Sequence, residues 1–268
     1  MIRLALRVRR EDAEVALAEL LALAPSGVEE VDLGDRVEYA IYGPPGELPE
    51  LPDLQAAAGD ALVEVVTTEV ADDWAEQWKQ FHRPVELPGL RVRPPWEDAT
   101  TDADTLEIVI DPGQAFGTGG HHTTRLCLEL MLDLQPGGEF MDLGCGSGVL
   151  AIAAAKLGWS PVAGVDFDPL AVDATIENAR VNEVEVAASR VDVKVQAAPS
   201  APTVAANLLR PLLLALRFEP DAVPQTLIAS GLLATEADEL AAHFAAEYGL
   251  RETRRLTGGE WSALLLTG

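Results

Sequence analysis

Three glycines alternate with Cys145 and Ser147 in "MDLGCGSGVLAIAA", residues 141–154. A strand-like stretch ends near Asp142, and a helix-forming stretch begins near Gly148. Gly144, Gly146 and Gly148 permit positive φ and a close approach of the backbone to a ligand. The helix that follows would aim its free amides at the same place. A second apolar run, "VAGV", is closed by Asp166, 22 residues after Gly144. A carboxylate at that offset can accept both hydroxyls of a ribose. Together the two features predict a nucleoside-containing cofactor at the carboxyl edge of a parallel sheet.

Two cofactor classes compete for that site. A nicotinamide enzyme calls for G-x-G-x-x-G, where the third glycine packs helix on strand. The run here is G-x-G-x-G, with Asp142 just ahead of it. An acid so close opposes a pyrophosphate and suits a cationic amino-acid moiety. S-adenosylmethionine carries an ammonium, a carboxylate and a sulfonium but no phosphate. The electrostatics therefore favour a methyltransferase over a nicotinamide oxidoreductase. Whether the methyl acceptor is a protein or a small molecule stays open on these residues, and a catalytically silent interaction module that keeps the fold is a third reading.

The elements around these residues alternate. The helix "HHTTRLCLELMLDL" precedes a strand over 139–144, a helix over 148–157, a strand over 161–167 and a helix over 169–182. Such alternation predicts an α/β architecture with a doubly wound, mostly parallel seven-stranded sheet. "LRETRRL" and "EWSALLLTG" are strands joined by Thr257, Gly258 and Gly259, so an antiparallel hairpin closes one edge. Further upstream, "LRVRPPWED" and "TLEIVID" are strands, and "DDWAEQWKQF" is a helix with Trp74, Trp78 and Phe81 on one face, there for core packing.

The first 66 residues differ in pattern. "IRLALRV" alternates as a half-buried strand, and "EDAEVALAELLALA" reads as a helix with acids in its first turn. "VEEVDLG" and "VEYAIYG" flank Gly34 and Asp35 as a hairpin. After the proline-rich loop 44–53, a short helix over 54–59 and a strand over 61–68 complete β-α-β-β-α-β, a small α+β ferredoxin-like module. The domains expected are thus 1–66, a linker over 67–72, and 73–268.

Composition bounds the rest. The chain has 268 residues, 48% of them apolar, enough for a large domain and a small one. Its formal net charge of −25 repels bare nucleic acid and attracts a basic partner. Cys127 and Cys145 have neither disulfide-framework nor zinc spacing, and the four histidines lack a ligand pattern, so no metal is expected. "MIRLALRVRR" is no cleavable signal, and no stretch is long enough to span a bilayer, so cytoplasm is the expected compartment.

The motifs also resemble a family. "DPGQAFGTGGHHTTRLCLEL", "MDLGCGSGVLAIAAAKLG", "GVDFDPLAV", "ENARVN", "AANLL", "ASGLL" and "GEW" are similar to the bacterial methyltransferases that modify ribosomal protein L-eleven. The likeness spans residues 72–268, and its most specific part is "AFGTG" before "TT". It implies S-adenosylmethionine as cofactor and amino groups of a basic ribosomal protein, lysine side chains or an α-amine, as substrate. It also implies a substrate-recognising N-terminal module and a monomer. Residue by residue, it makes Thr124, Gly144, Gly146 and Asp166 cofactor contacts. Phe116, Gly117 and Thr118 fall in the loop that covers the cofactor, and Asn207 sits beside the transferred methyl as the catalytic residue. His121 aligns with a family histidine, which as a helix N-terminal residue would bond to backbone; His122 falls where the family varies. Cys145 is small and inert. Glutamine-modifying relatives carry Asn-Pro-Pro-aromatic, whereas Asn207 is followed by Leu208 and Leu209. The chain departs from the family at Pro202 and Thr203, where an acid usually precedes the Ala-Asn pair, and this bears on contacts at the adenine side.

Overall fold

The computed structural model describes residues 2–13, 29–43, 62–69, 84–111 and 121–268. The chain divides into two units, Met1–Phe81 and His82–Gly268.

In the first unit, β1 (Ile2–Arg9), β2 (Glu29–Asp32), β3 (Arg36–Gly43) and β4 (Leu62–Glu69) form one sheet in the order β2-β3-β1-β4. Every neighbouring pair is antiparallel. Alternation in β1 buries Leu4, Leu6 and Val8 on one face. The opposite face carries Arg3 and Arg7, whose guanidinium groups converge on Glu38 of β3. Of the helix expected over 11–24 only the start is described, a 3-10 turn over Arg10–Asp12 with Ala13 in helical conformation. Its remainder, the helix expected over 54–59, and the Trp74, Trp78 and Phe81 face lie outside the described residues.

The second unit opens with β5 (Val85–Leu87), β6 (Leu90–Arg93) and β7 (Leu106–Val109), a separate three-stranded sheet. β6 stops where Pro94 removes a donor and bends the chain. The first of these strands is too short to show a period in the sequence.

The main sheet has seven strands: β8 (Phe140–Leu143), β9 (Val162–Asp166), β10 (Ala187–Arg190), β11 (Thr203–Asn207), β12 (Thr226–Leu233), β13 (Arg251–Gly258) and β14 (Trp261–Thr267). Their order is β10-β9-β8-β11-β12-β14-β13. β8 to β12 pair in parallel, and β14 inserts antiparallel between β12 and β13. The C-terminal hairpin therefore extends the sheet at that edge, as the sequence suggests. Five helices accompany these strands: α1 (His122–Leu132), α2 (Val149–Leu157), α3 (Pro169–Val181), α4 (Arg210–Ala215) and α5 (Ala237–Tyr248).

Period-two alternation sorts the strand side chains onto two cores. Phe140, Ala205, Ile228, Ala263 and Leu265 join one with α1 and α2. Met141, Leu143, Val204, Ala206, Leu227, Leu264 and Leu266 join the other with α5. Both faces are covered, which is why these strands read as almost unbroken apolar runs. The strand order reverses between β8 and β11. Ligands bind at such a point, because the two following loops diverge and leave a crevice.

Candidate functional site

The loop between β8 and α2 meets the geometric expectation at each glycine. Gly144, Gly146 and Gly148 have φ of 75°, 53° and 82°, values that side chains disfavour. The amides of Gly144 and Cys145 both donate to the Val165 carbonyl, at 2.8 and 3.0 Å, stitching the loop to β9. The answer to what approaches this backbone is partly internal. A Cβ on Gly144 would collide with the Leu208 side chain, and one on Gly148 would lie 2.9–3.1 Å from Thr175.

Asp166 ends β9 beside the loop and is 9% exposed. Its Oδ2 accepts from the Gly146 amide and its Oδ1 from the Asp168 amide, each at 3.0 Å. An ionised carboxylate has about four acceptor sites. Two are occupied here, and one remains on each oxygen for a vicinal diol. Asp168 in turn caps α3, accepting from Leu170 N at 2.9 Å.

Asn207 ends β11 in register with Ser230 of β12. Its Nδ2 donates to Thr124 Oγ1 at 3.2 Å, which leaves Oδ1 as the end able to accept from a ligand. Gly231, with φ of 91°, lets the chain after Asn207 pass close by: a Cβ there would strike the Leu208 carbonyl group.

A cavity of about 360 Å³ joins these groups. Gly144, Gly146, Asp166 and Asn207 all line it, together with His121, Phe167, Asp192, Lys194, Leu208 and Trp261. Phe167 is 66% exposed, a flat apolar ring next in sequence to Asp166. His121 and Trp261 meet edge to face, 5.1 Å between centroids. Burial pushes the His121 imidazole below its ordinary value, with a further push from His122, which favours the neutral ring. His121 also accepts from Thr123 N at 3.3 Å, the helix-capping role expected of it.

Four residues take places other than those the sequence suggests. Thr124 is buried behind Asn207 and does not line the cavity; it orients the amide from the rear. Asp142 is also absent from the lining. It is 1% exposed, accepts from Ala151 N of α2 at 3.2 Å through Oδ2, and has an unpartnered Oδ1. Burial pushes its carboxyl up to about 7, and Asp166 adds to the shift. It is thus a helix-anchoring acid behind the loop rather than a facing counter-ion. Pro202 and Thr203 sit at the amino end of β11. Neither lines the cavity, so the departure there lies at the far end of the strand from Asn207. Cys145 is buried and its thiol is pushed up to about 12, so it is inert, as expected. Phe116, Gly117 and Thr118 lie outside the described residues.

The family model for Ribosomal protein L11 methyltransferase (PrmA) matches residues 50–267. The chain belongs to that family. The Ribosomal protein L11 methyltransferase of Burkholderia multivorans is 40% identical over 277 residues, covering 90% of each chain. That of Caldanaerobacter subterraneus subsp. tengcongensis is 35% identical over 229 residues, covering 81% of this chain and 71% of its own. Among solved structures, the ribosomal protein L11 methylase of Lactobacillus delbrueckii subsp. bulgaricus superposes with a TM-score of 0.59 at 27% identity. It covers 69% of this chain and 98% of its own.

Membership of the family leaves several lining residues unannounced. Val191, Asp192, Val193 and Lys194 follow β10 directly. The open-sheet rule points to them once β10 is known to be a parallel strand, but its four residues are largely exposed and carry little apolar signal. Leu209 and Leu212 reach the cavity from the start of α4, and Trp261 reaches it from the start of β14. Only the tertiary fold brings them there. Among the described residues there is no cluster that could hold a metal ion, and no helix long and apolar enough to cross a membrane.

Proposed function

We propose that this protein is an S-adenosylmethionine-dependent N-methyltransferase acting on amino groups of ribosomal protein L11, lysine side chains or the α-amine. One observation carries the reading. An acid with two uncommitted acceptor sites, Asp166, and an amide with a free carbonyl end, Asn207, line the same cavity at the switch point of a parallel sheet. The donor set fits the cofactor: Asp166 would take the ribose hydroxyls, and Phe167 offers a face to the adenine. Gly144 and Gly146, which line the cavity, would face the amino-acid end. When bound, the sulfonium supplies an electrophilic methyl for in-line displacement.

The amine must be neutral to react. Deprotonating a lysine at pH 7 costs about 4.6 kcal/mol, and an α-amine about 1 kcal/mol. Asn207 can accept a hydrogen bond from the neutral amine and aim its lone pair. A carboxylate in its place would pair with the ammonium and hold it protonated. The lowered His121 imidazole disfavours a positive charge near the sulfonium or amine. Alignment carries much of the rate, because the donor is already reactive.

The first unit supplies recognition in this reading. Its all-antiparallel strand order β2-β3-β1-β4 is the one a ferredoxin-like module adopts. Residues 1–66, a linker over 67–72 and a catalytic domain over 73–268 give the division of labour. The net charge of −25 suits a basic ribosomal substrate met as a monomer in the cytoplasm, without direct nucleic-acid binding. Labelled S-adenosylmethionine with purified ribosomal protein L11, followed by peptide mass mapping, tests the proposal. Label on lysine or α-amino nitrogen is expected. A protein that binds no S-adenosylmethionine in calorimetry would overturn it.

A further inference from the structure

Helix α3 carries Thr175 and Asn178 and is capped at its end by Asn182, all poor helix formers. Spacings of three and four place them on one stripe. All three are buried, at 0%, 3% and 6% exposure. Buried polar side chains require partners, and all but one of the partners here lie outside the helix, the exception being the Asn178 carbonyl, which Asn182 Nδ2 reaches at 2.8 Å. The Thr175 hydroxyl is 3.0 Å from the Gly146 carbonyl and 3.3 Å from Cys145 Sγ. Asn178 donates from Nδ2 to the Ser147 carbonyl at 2.9 Å and accepts at Oδ1 from Asp111 N at 3.2 Å. Asn182 accepts from Val109 N at 2.8 Å and donates to Val109 O at 2.6 Å.

These amides can face only one way. The Asp111 and Val109 N–H groups can only donate, and the Ser147 carbonyl can only accept. The result is asymmetric. Thr175 and Asn178 take hold of two consecutive carbonyls of the glycine loop, while Asn182 touches β7 and the α3 backbone but not the loop. In a planar peptide, C=O and the following N–H point opposite ways. Drawing the Gly146 and Ser147 carbonyls toward α3 therefore turns the Ser147 and Gly148 amides away from it. Gly146's own amide meanwhile bonds Asp166. Glycines alone cannot choose that orientation, since their conformational freedom is the widest of any residue.

We propose that Thr175 and Asn178 are positioning residues for the cofactor site. They hold the glycine loop from behind by its carbonyls, and Asn178 also ties it to Asp111. The loop and Asp166 then stand in binding geometry before any ligand arrives. The ligand part of this inference rests on the reading of the cavity as an S-adenosylmethionine site.

The test compares Thr175→Val, Asn178→Ala and Asn182→Ala with the wild type. Valine keeps the shape of threonine and its packing on Gly148, and alanine is a good helix former, so the folded state should survive. S-adenosylmethionine affinity is read by calorimetry well below each melting temperature. Amide hydrogen exchange of Gly146 and Gly148 is read without ligand. Thr175→Val and Asn178→Ala should each weaken binding about 5- to 30-fold and speed exchange at both amides about tenfold. Turnover at saturating cofactor should stay within about twofold. Asn182→Ala should lower the melting temperature yet leave affinity and loop exchange near wild type. The proposal fails if the first two variants keep wild-type affinity and exchange, or if Asn182→Ala changes both as much as Asn178→Ala. A wild type that binds no S-adenosylmethionine would sink the cofactor reading instead, and the exchange measurement would still decide the loop-holding role.

Discussion

Buried carboxylates are satisfied in two different ways in the two units of this chain. In the small sheet, Glu38 is 6% exposed and held by Arg3 at 2.6 Å and Arg7 at 2.7 Å, and Arg7 also reaches Glu64 at 2.8 Å. In the main sheet, Asp142 and Asp166 have no such cations among the described residues. Backbone amides of the glycine loop and the adjoining helix starts hold them. The consequence is opposite in sign. The Arg3 hydrogen bond, helped by Arg7, holds Glu38 below the usual carboxylate range despite burial. Asp142, with one amide and no counter-ion, is pushed up to about 7. The two arginines bond Glu38 once on each oxygen and cancel its charge as they do so. Amides occupy one site per oxygen and leave the rest for a ligand. The first arrangement holds strands together; the second is what a binding site needs.

Substitutions at the acids and their neighbours sharpen this contrast. Asp166→Ala should have the largest effect. Losing two charge-assisted hydrogen bonds should weaken S-adenosylmethionine by about 2–3 kcal/mol, read by titration calorimetry. Unchanged affinity would mean that the amide-held acid is structural after all. Asn207→Ala should lower turnover about 100-fold with a smaller change in cofactor affinity, because its acceptor matters once the amine is present. Rates at saturating cofactor from pH 7 to 10 check this. Asn207→Asp should also be slow at neutral pH and recover partly as pH rises.

Asp142→Asn comes next. An acid raised to about 7 in the folded state binds a proton that the unfolded chain, at about 4, has already released. Folding stability therefore falls as pH rises across that window. The asparagine variant should lack this loss and gain about 2–3 kcal/mol relative to wild type between pH 5 and pH 8, measured by denaturant unfolding. A constant difference between the two proteins at all pH values would show that Asp142 stays ionised. Glu38→Gln should be the smallest, about 1 kcal/mol, since its arginines are partly exposed. Its sign is reversed: Glu38's contribution is present above the unfolded value near 4 and is lost as pH falls through the lowered folded one. The variant should match wild type near pH 3 and fall behind it at pH 7, a result opposite to that for Asp142.

Much of the site was legible because its signals are local. A glycine run with an acid 22 residues on, each at a strand end, can be read without knowing any long-range contact. The helix from His122 and the C-terminal hairpin were equally readable, the one from its apolar stripe and the other from Thr257, Gly258 and Gly259 between apolar runs. Thr124 was placed in the site by its motif, but the motif does not say which side of Asn207 it occupies. Asp142 misled for a related reason. Its sequence neighbours suggest a charge beside the ligand, while the pleat of β8 turns its side chain inward toward α2.

The chain's order of apolar and polar residues determined the parallel sheet, the positive-φ loop and the acid beyond it, since each depends on periods of two or 3.6 residues and on glycine's freedom. Tertiary structure alone decided what those elements face. Asn207 and Thr124 are 83 residues apart, Asn182 and Val109 are 73 apart, and Trp261 reaches the cavity from the last strand. Such pairings follow from the reversal of strand order between β8 and β11 and from which face of α3 packs down. No local period encodes either choice. Both are set by how the two cores close over the sheet and by the need of every buried polar group for a partner.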